Sequence, residues 1–325
     1  MGKATTSPPK SGSERISAGR ILLAPFALLY GSGARLRARL WRSRARRLSK
    51  PVLSVGNLTF GGTGKTPFVI HACHALRRRG LEVCVLSRGY ASHGAERNDE
   101  ADVIDGHLPG LLHLQNPNRF EAGLSVLKRV DAFVLDDGFQ HLPLARDEDV
   151  VLIDATAPFG GGLCPPAGRL REPLAALARA TCVILTRADQ VSRESLGETM
   201  RVVRAKTRAP VATGVFAPSC ETDLAGLEVL VACGIGNPAA FHKTVESLGA
   251  KAVESRVFRD HHPYGEKDAD ALASAGLPVV VTEKDAVKLG PLWRDAVPLH
   301  VVRIEFEPRD GAAHIEAVFG RIASR

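Results

Sequence analysis

Val52-Leu53-Ser54-Val55-Gly56-Asn57-Leu58-Thr59-Phe60-Gly61-Gly62-Thr63-Gly64-Lys65-Thr66-Pro67 is the stretch on which the fold turns. Residues 52–55 form a short β-branched run that reads as a strand, and residues 65–79 read as an amphipathic helix. A glycine-rich turn between strand and helix is the setting in which Gly-Lys-Thr cradles phosphate. Glycines let successive backbone N–H groups curl around phosphate oxygens, and the helix start adds a favourable dipole. Lys65 suits the β- and γ-phosphates of ATP, and the Thr66 hydroxyl suits Mg²⁺. The expected nucleotide-binding set is Thr59, Phe60, Gly61, Gly62, Thr63, Gly64, Lys65 and Thr66. The usual spacing G-x-x-x-x-G-K-[ST] wants glycine at position 59, where Thr59 stands. The first turn must therefore be shaped another way, with Gly56 and Asn57 as the candidates.

Outward from this loop, apolar runs alternate with amphipathic stretches. Further strands are expected at residues 81–86, 132–135, 150–153, 182–185, 229–232, 278–282 and 300–304. Helices are expected at 173–180, 193–206, 239–249 and 312–322. Near-continuous apolar strands spaced by helices imply an α/β fold, a P-loop NTPase-like parallel sheet with helices on both faces. The expected organisation is a disordered segment 1–14, a basic amphipathic helix 15–50, a P-loop domain 51–215 and a smaller C-terminal α/β domain 216–325.

The formal net charge of +8 is uneven. Residues 1–50 hold 12 of the 43 Lys and Arg and one of the 35 acids, Glu14, so the remainder is slightly acidic. That argues against a nucleic-acid surface across the body and points to a local device at the N-terminus. An apolar run at residues 21–30 is followed by Arg35-Leu36-Arg37-Ala38-Arg39-Leu40-Trp41-Arg42. The run is too short to span a bilayer but suits a helix lying on an anionic membrane surface. Three readings compete: a signal peptide, although here the strongest charge lies after the apolar core, a transit peptide, which is also Arg-rich and acid-poor, and a helix packed on the protein body. None of the six cysteines forms a C-x-x-C pair, which makes buried thiols the simplest reading.

The second chemical signal is an apolar strand ending in two carboxylates, Asp136-Asp137, followed by Gly138-Phe139-Gln140-His141. In a P-loop fold the carboxyl end of such a strand lies beside the phosphate loop, where an Asp holds Mg²⁺ directly or through water. His141 is open between a structural and a chemical role.

These segments join others: Ser87-Arg88-Gly89-Tyr90, Pro165-Pro166-Ala167-Gly168, Leu170-Arg171-Glu172-Pro173, Phe258-Arg259-Asp260-His261-His262 and Thr282-Glu283-Lys284-Asp285. In this order, with Ser54-Val55-Gly56-Asn57-Leu58 at the head, the set resembles the tetraacyldisaccharide 4′-kinase family, the lipid A 4′-kinases. The resemblance implies transfer of the ATP γ-phosphate to the 4′-hydroxyl of an acylated glucosamine disaccharide 1-phosphate. It places that reaction at the cytoplasmic face of the bacterial inner membrane and implies a membrane-associated N-terminal helix. Nucleic acid is not an expected partner, and a monomer is the expected state.

The resemblance also assigns roles. The family's catalytic aspartate lies in a G-D-E-P segment, matched here by Asn98-Asp99-Glu100-Ala101, which keeps Asp99 and Glu100 but not the flanking Gly and Pro. Read without the family, residues 96–105 look like a solvated acidic loop. The family's supporting histidine, in F-x-D-H, matches His261. Thus Lys65, Asp99 and His261 are the candidate catalytic residues, and Thr66, Asp136, Asp137 and Glu172 the candidate metal-side residues. Arg88 and Arg119 suit phosphate oxygens or surface ion pairs equally.

Two readings from other classes compete. Thr186-Arg187-Ala188-Asp189 loosely imitates the guanine-reading [NT]-K-x-D motif, which would make the protein a P-loop GTPase or metallochaperone-type nucleotide switch. Alternatively, the basic N-terminus would be the functional part of a tethering protein.

Overall fold

The computed structural model describes residues 18–89, 99–236, 238–260, 262–294 and 296–325, apart from the side chains of residues 18–21, 42, 99 and 100. The segment 1–14 lies outside the described residues. The first part of the chain contains α1 (Ala18–Arg42), β1 (Val52–Asn57), α2 (Lys65–Arg77), β2 (Val83–Ser87), α3 (Asp99–His107), β3 (Leu112–Gln115) and α4 (Arg119–Val126). Then come β4 (Ala132–Asp136), β5 (Glu148–Asp154), β6 (Cys182–Thr186), α5 (Arg193–Arg204) and β7 (Val211–Ser219). The last part holds β8 (Glu228–Cys233), α6 (Pro238–Ser247), β9 (Lys251–Val257), α7 (Glu266–Ala273) and β10 (Val279–Thr282). It ends with α8 (Glu283–Leu289), β11 (Leu299–Pro308) and α9 (Ala312–Ala323).

All eleven strands share one sheet in the order β3-β2-β4-β1-β5-β6-β7-β11-β10-β8-β9. Period-2 alternation sends successive side chains to opposite faces. Val83 and Val85 of β2 join α2, α3 and α9 on one face, whereas Cys84 and Leu86 join α4 on the other. With both faces covered, β1, β2, β4 and β6 are buried along their whole length, which is why they read as unbroken apolar runs. Five of the six cysteines are buried free thiols inside these layers.

The sheet departs from the expected all-parallel arrangement at one seam. β7 pairs parallel with β6 but antiparallel with β11, from Gly214 opposite Pro308 to Ser219 opposite Arg303. Apolar composition reports that a strand is buried, not which way it runs, so this reversal left no mark in the sequence. The division expected after residue 215 falls inside β7. Moreover, α9 packs back on the first half: Ile315, Val318, Phe319 and Ile322 share a core with α2. Arg321 forks onto Glu148 of β5 at 2.6 and 2.9 Å.

The structure also forms a helix where the acidic segment 96–105 reads as a loop. α3 begins at Asp99 and buries Ala101 and Ile104 on its inner side, continued just past its end by Leu108, an i, i+3, i+7 stripe hidden among charges. The segment 174–179 is a 3₁₀ turn rather than an α-helix.

β1 lies between β4 and β5, so the chain leaves it to one side through α2 and returns on the other at β5. The carboxyl ends of β1 and β4 are thereby adjacent, with Val55 opposite Asp136. This is the crevice where ligands of open α/β sheets bind. Behind it, Phe68 of α2 is fully buried and meets Phe306 of β11 edge-on at 5.0 Å. Phe68→Ala is expected to cost about 3–5 kcal/mol of stability, read as a lowered urea midpoint, because it opens a cavity at the junction of α2, β11 and α9.

Candidate active site

The phosphate loop is built from β1 outward. Thr59 needs no glycine, because residues 58–60 are extended and pair with residues 169–171. Thr59 bridges Leu170, Phe60 N–H donates to the Arg169 carbonyl at 2.9 Å, and Arg171 N–H donates to the Leu58 carbonyl at 2.7 Å. Asn57, buried at the end of β1, then braces the turn: its Nδ2 donates to Thr63 Oγ1 at 3.0 Å and to the Gly61 carbonyl at 3.4 Å. Of the two residues expected to replace glycine 59, Asn57 is the brace. Gly56 serves a different end, because a Cβ there would run into the backbone of Phe139.

Gly64 caps α2 with φ +80°, a left-handed conformation that favours glycine. Its Cα lies against the Phe216 ring of β7, and a side chain there would collide with it. The loop is held from the sheet as well. Thr186 Oγ1 donates to the Thr63 carbonyl at 3.2 Å, and Arg187 Nη1 donates to the Gly62 carbonyl at 3.2 Å while pairing with Asp154. The Thr186-Arg187-Ala188-Asp189 segment therefore supports the phosphate loop, and its Arg187 is committed to Asp154 and Gly62 instead of to a base.

Asp137 is the centre of charge. It has φ +49°, a conformation costly for a residue with a side chain. Its carboxylate receives Arg171 Nη1 at 2.8 Å on both oxygens and faces Lys65 Nζ at 3.5 Å. Burial pushes the Asp137 carboxyl up, but Lys65 and Arg171 together outweigh it and hold the group below the ordinary carboxylate range. Asp136, buried at the end of β4, offers its carbonyl to Arg119 Nη2 at 3.0 Å. Glu172 is buried in a fork-to-fork pair with Arg179, both contacts at 2.9 Å, so its carboxylate is engaged away from the Lys65–Asp137 pair. Its neighbour Arg171 was passed over in the sequence, although the same Leu-Arg-Glu-Pro segment carries it and a guanidinium fork matches a carboxylate.

His141 turns inward among arginines. Burial, and then the charges of Arg119, Arg146, Arg37 and Arg88, push its imidazole down to about 3. It is therefore neutral near pH 7. α3 begins at Asp99, whose side chain lies outside the described residues, as does all of His261.

Two cavities flank the loop. One, of about 740 Å³, lies between α1 and the strand ends and includes Tyr30, Arg37, Arg88, Arg119, Asp137 and Arg171 in its wall. The other, also about 740 Å³, lies between Gly62, Asp154 and Phe216 on one side and Gly234, Asp260 and Lys284 on the other. For Mg²⁺, the hydroxyl of Thr66 and the carboxylates of Asp136 and Asp137 form a hard-oxygen donor set of the right chemistry. Among the described residues no group of three or more His, Cys, Asp or Glu forms a metal cage.

The family described as LpxK, tetraacyldisaccharide-1-P 4′-kinase, matches residues 19–321. This chain belongs to the tetraacyldisaccharide-1-P 4′-kinase family. A tetraacyldisaccharide 4′-kinase of Anaeromyxobacter sp. (strain Fw109-5) is 40% identical, over 91% of this chain and 90% of the relative. One from Geobacter sulfurreducens is 36% identical, over 96% and 97%. A crystal structure of the "apo" form of LpxK from Aquifex aeolicus in complex with ATP superposes with a TM-score of 0.77 at 27% identity, covering 93% of this chain and 99% of that one.

In this tetraacyldisaccharide-1-P 4′-kinase family member, Gly64→Ala is expected to abolish ATP binding in a titration. The new Cβ would strike Phe216 and force the loop off its left-handed turn. A second test concerns acid. The folded protein keeps His141 neutral while the unfolded chain protonates it below about 6.5, so the unfolded state binds the extra proton. Stability is expected to fall as pH drops from about 6.5 towards about 3, and the unfolding midpoint of His141→Gln should fall less steeply over that window.

Proposed function

We propose that this protein is an ATP-dependent kinase that phosphorylates the 4′-hydroxyl of tetraacyldisaccharide 1-phosphate in lipid A biosynthesis. The carrying observation is Asp137, fixed between Lys65 of the phosphate loop and Arg171, with the arginine-lined cavity beneath α1 opening onto it. One side of that carboxylate serves nucleotide, and the other serves an anionic acceptor.

Backbone N–H groups of residues 61–65 and the start of α2 bind the ATP phosphates, and Lys65 Nζ neutralises the β- and γ-oxygens. Thr66 with Asp136 and Asp137 would hold Mg²⁺, which when bound offsets charge on the β- and γ-phosphates. Asp99 accepts the proton of the 4′-hydroxyl as its oxygen bonds to the γ-phosphorus, and ADP leaves with the bridging oxygen. His261 orients Asp99, as a third group orients the base in a catalytic triad. Glu172 acts from the second rank, holding Arg179 across the Phe139 ring at 4.4 Å and so stiffening the segment that follows Asp137.

The acceptor's 1-phosphate suits the guanidinium groups of Arg37, Arg88 and Arg119, because forked donors match phosphate oxygens. Its acyl chains suit α1. That helix touches the body through small residues, with Ala27 buried and Gly31 set close to Pro173, while Leu22, Phe26, Leu28 and Leu29 stay exposed. No helix among the described residues is long and apolar enough to cross a membrane. The exposed leucines and the arginines of α1 suit a helix lying in an anionic surface, at the cytoplasmic face of the inner membrane, with the chain acting as a monomer.

The test is transfer of labelled γ-phosphate from ATP-Mg²⁺ to tetraacyldisaccharide 1-phosphate in detergent micelles. Wild type is expected to label the lipid, and Lys65→Ala, Asp99→Ala and Asp137→Ala should each lose about a hundredfold or more in turnover. Wild type that binds GTP and leaves the lipid unlabelled would overturn the kinase reading, and normal turnover by Asp99→Ala would move the base elsewhere.

A further inference from the structure

The Thr282-Glu283-Lys284-Asp285 segment holds contacts that phosphate binding does not use. Asp285 is buried in the first turn of α8 and is hydrogen-bonded on both carboxylate oxygens. Oδ1 accepts from the Gly234 N–H at 3.0 Å and from the Tyr264 hydroxyl at 3.0 Å, and Oδ2 accepts from Thr282 Oγ1 at 2.6 Å. Three segments that are far apart in sequence therefore converge on one charge. Gly234, Asp260 and the 282–285 turn line the C-terminal wall of the cavity that faces Gly62, Asp154 and Phe216.

The wall is tightly fitted around this carboxylate. A Cβ at Gly234 would stand 3.1 Å from the Arg259 carbonyl and 3.2 Å from Asp285 Oδ1, so any side chain there would push the two loops apart by a few tenths of an ångström. Beyond them Tyr264 meets Phe258 at 4.9 Å and His262 at 5.0 Å, and His262 stacks on Phe258 at 4.7 Å. The described residues on either side of position 261 are thus anchored, through Tyr264, to Asp285. An aspartate with this many charge-assisted contacts is an expensive device for stability alone, since a buried charge repays its desolvation only when the geometry is good.

Two residues earlier, the same turn reaches the other way. Glu283 Oε1 contacts His107 Nε2, at the last residue of α3, and lies 3.7 Å from Arg303 Nε of β11. α3 is the helix that begins at Asp99, and its inner face is locked into the core behind the phosphate loop. One short turn therefore touches the helix that starts at the candidate base and the loop that bears the candidate supporting histidine.

We propose that Glu283 and Asp285 are positioning residues that together set the placement of the Asp99-bearing helix relative to residues 259, 260 and 262–264. The inference rests on the reading of Asp99 and His261 as the pair that takes the hydroxyl proton. It assigns the Thr-Glu-Lys-Asp turn to catalytic geometry, with no contact to nucleotide or acceptor required of Glu283 or Asp285. A base misplaced by an ångström loses rate without losing substrate, so the deficit belongs in kcat.

The experiment uses the full chain in the micelle assay, with kcat, KM for ATP and urea midpoint measured for each variant. The set is Asp285→Asn, Glu283→Gln, Tyr264→Phe, His261→Ala and the double variant Asp285→Asn with His261→Ala. Asp285→Asn and Glu283→Gln are each expected to lower kcat by about tenfold to a hundredfold with KM for ATP within about threefold of wild type. Tyr264→Phe, which removes one hydroxyl and keeps the ring, should lower kcat in the same direction with its fold intact, which covers the case in which Asp285→Asn does not fold. Without His261 there is less to position, so adding Asp285→Asn to His261→Ala should cost less than about threefold more. Wild-type kcat in both Asp285→Asn and Tyr264→Phe would overturn the proposal, and so would losses that multiply in full in the double variant. Normal kcat in His261→Ala would instead sink the reading of the catalytic pair, and the proposal with it.

Discussion

The hydrogen bonding of β1 between β4 and β5 is the constraint on which the chemistry depends. Parallel strands in register bring their carboxyl ends to one edge, and here that edge carries the phosphate loop and the Asp136-Asp137 pair together. The arrangement has a local cost. Asp137 sits in a left-handed conformation and is largely shielded from water, and Gly56 must lack a side chain for the segment after Asp137 to pass. Lys65 and Arg171 offset that cost by placing two cations around one carboxylate.

What the sequence disclosed follows from the same constraint. A fully covered parallel strand is apolar throughout, so β1, β2, β4 and β6 stood out, and the loop that β1 feeds has few chemical alternatives. What it hid is equally physical. Thr59 in place of glycine is explained only by the antiparallel bridge to Leu170, more than a hundred residues on. α3 passed for a loop because its apolar stripe is thin and its exposed side is acidic. The reversal at β7 could not be read, since side-chain pattern is blind to strand direction. Glu172 shared its segment with the residue that reaches Asp137, Arg171, while Glu172 itself is taken by Arg179.

Two different kinds of wall flank the phosphate loop. Towards β7 and β8 the walls are those of a cleft between loops at the strand ends of one sheet, lined by Phe216 and by the Gly234 turn. Towards α1 the walls are arginines and a helix that holds the body through a narrow small-residue contact, with Arg37 reaching the Gln140 carbonyl at 3.5 Å. A polar cleft and an amphipathic helix with exposed leucines suit the difference between a soluble triphosphate and a lipid. The first is selected by shape and charge, the second by surface.

The packing of α2 has a consequence for the order in which the molecule is made. The inner face of α2 rests on Phe306, Ile315 and Phe319, residues that a ribosome supplies some 240 positions after Phe68. A nascent chain that has already exposed β1 through β6 still carries α2 with the part of its apolar face that meets Phe306, Ile315 and Phe319 uncovered, directly behind its phosphate loop. Nucleotide binding therefore cannot mature segment by segment along the growing chain. It waits for the last strand and helix to return, and during synthesis the half-made sheet offers an apolar flank of the kind that chaperones hold.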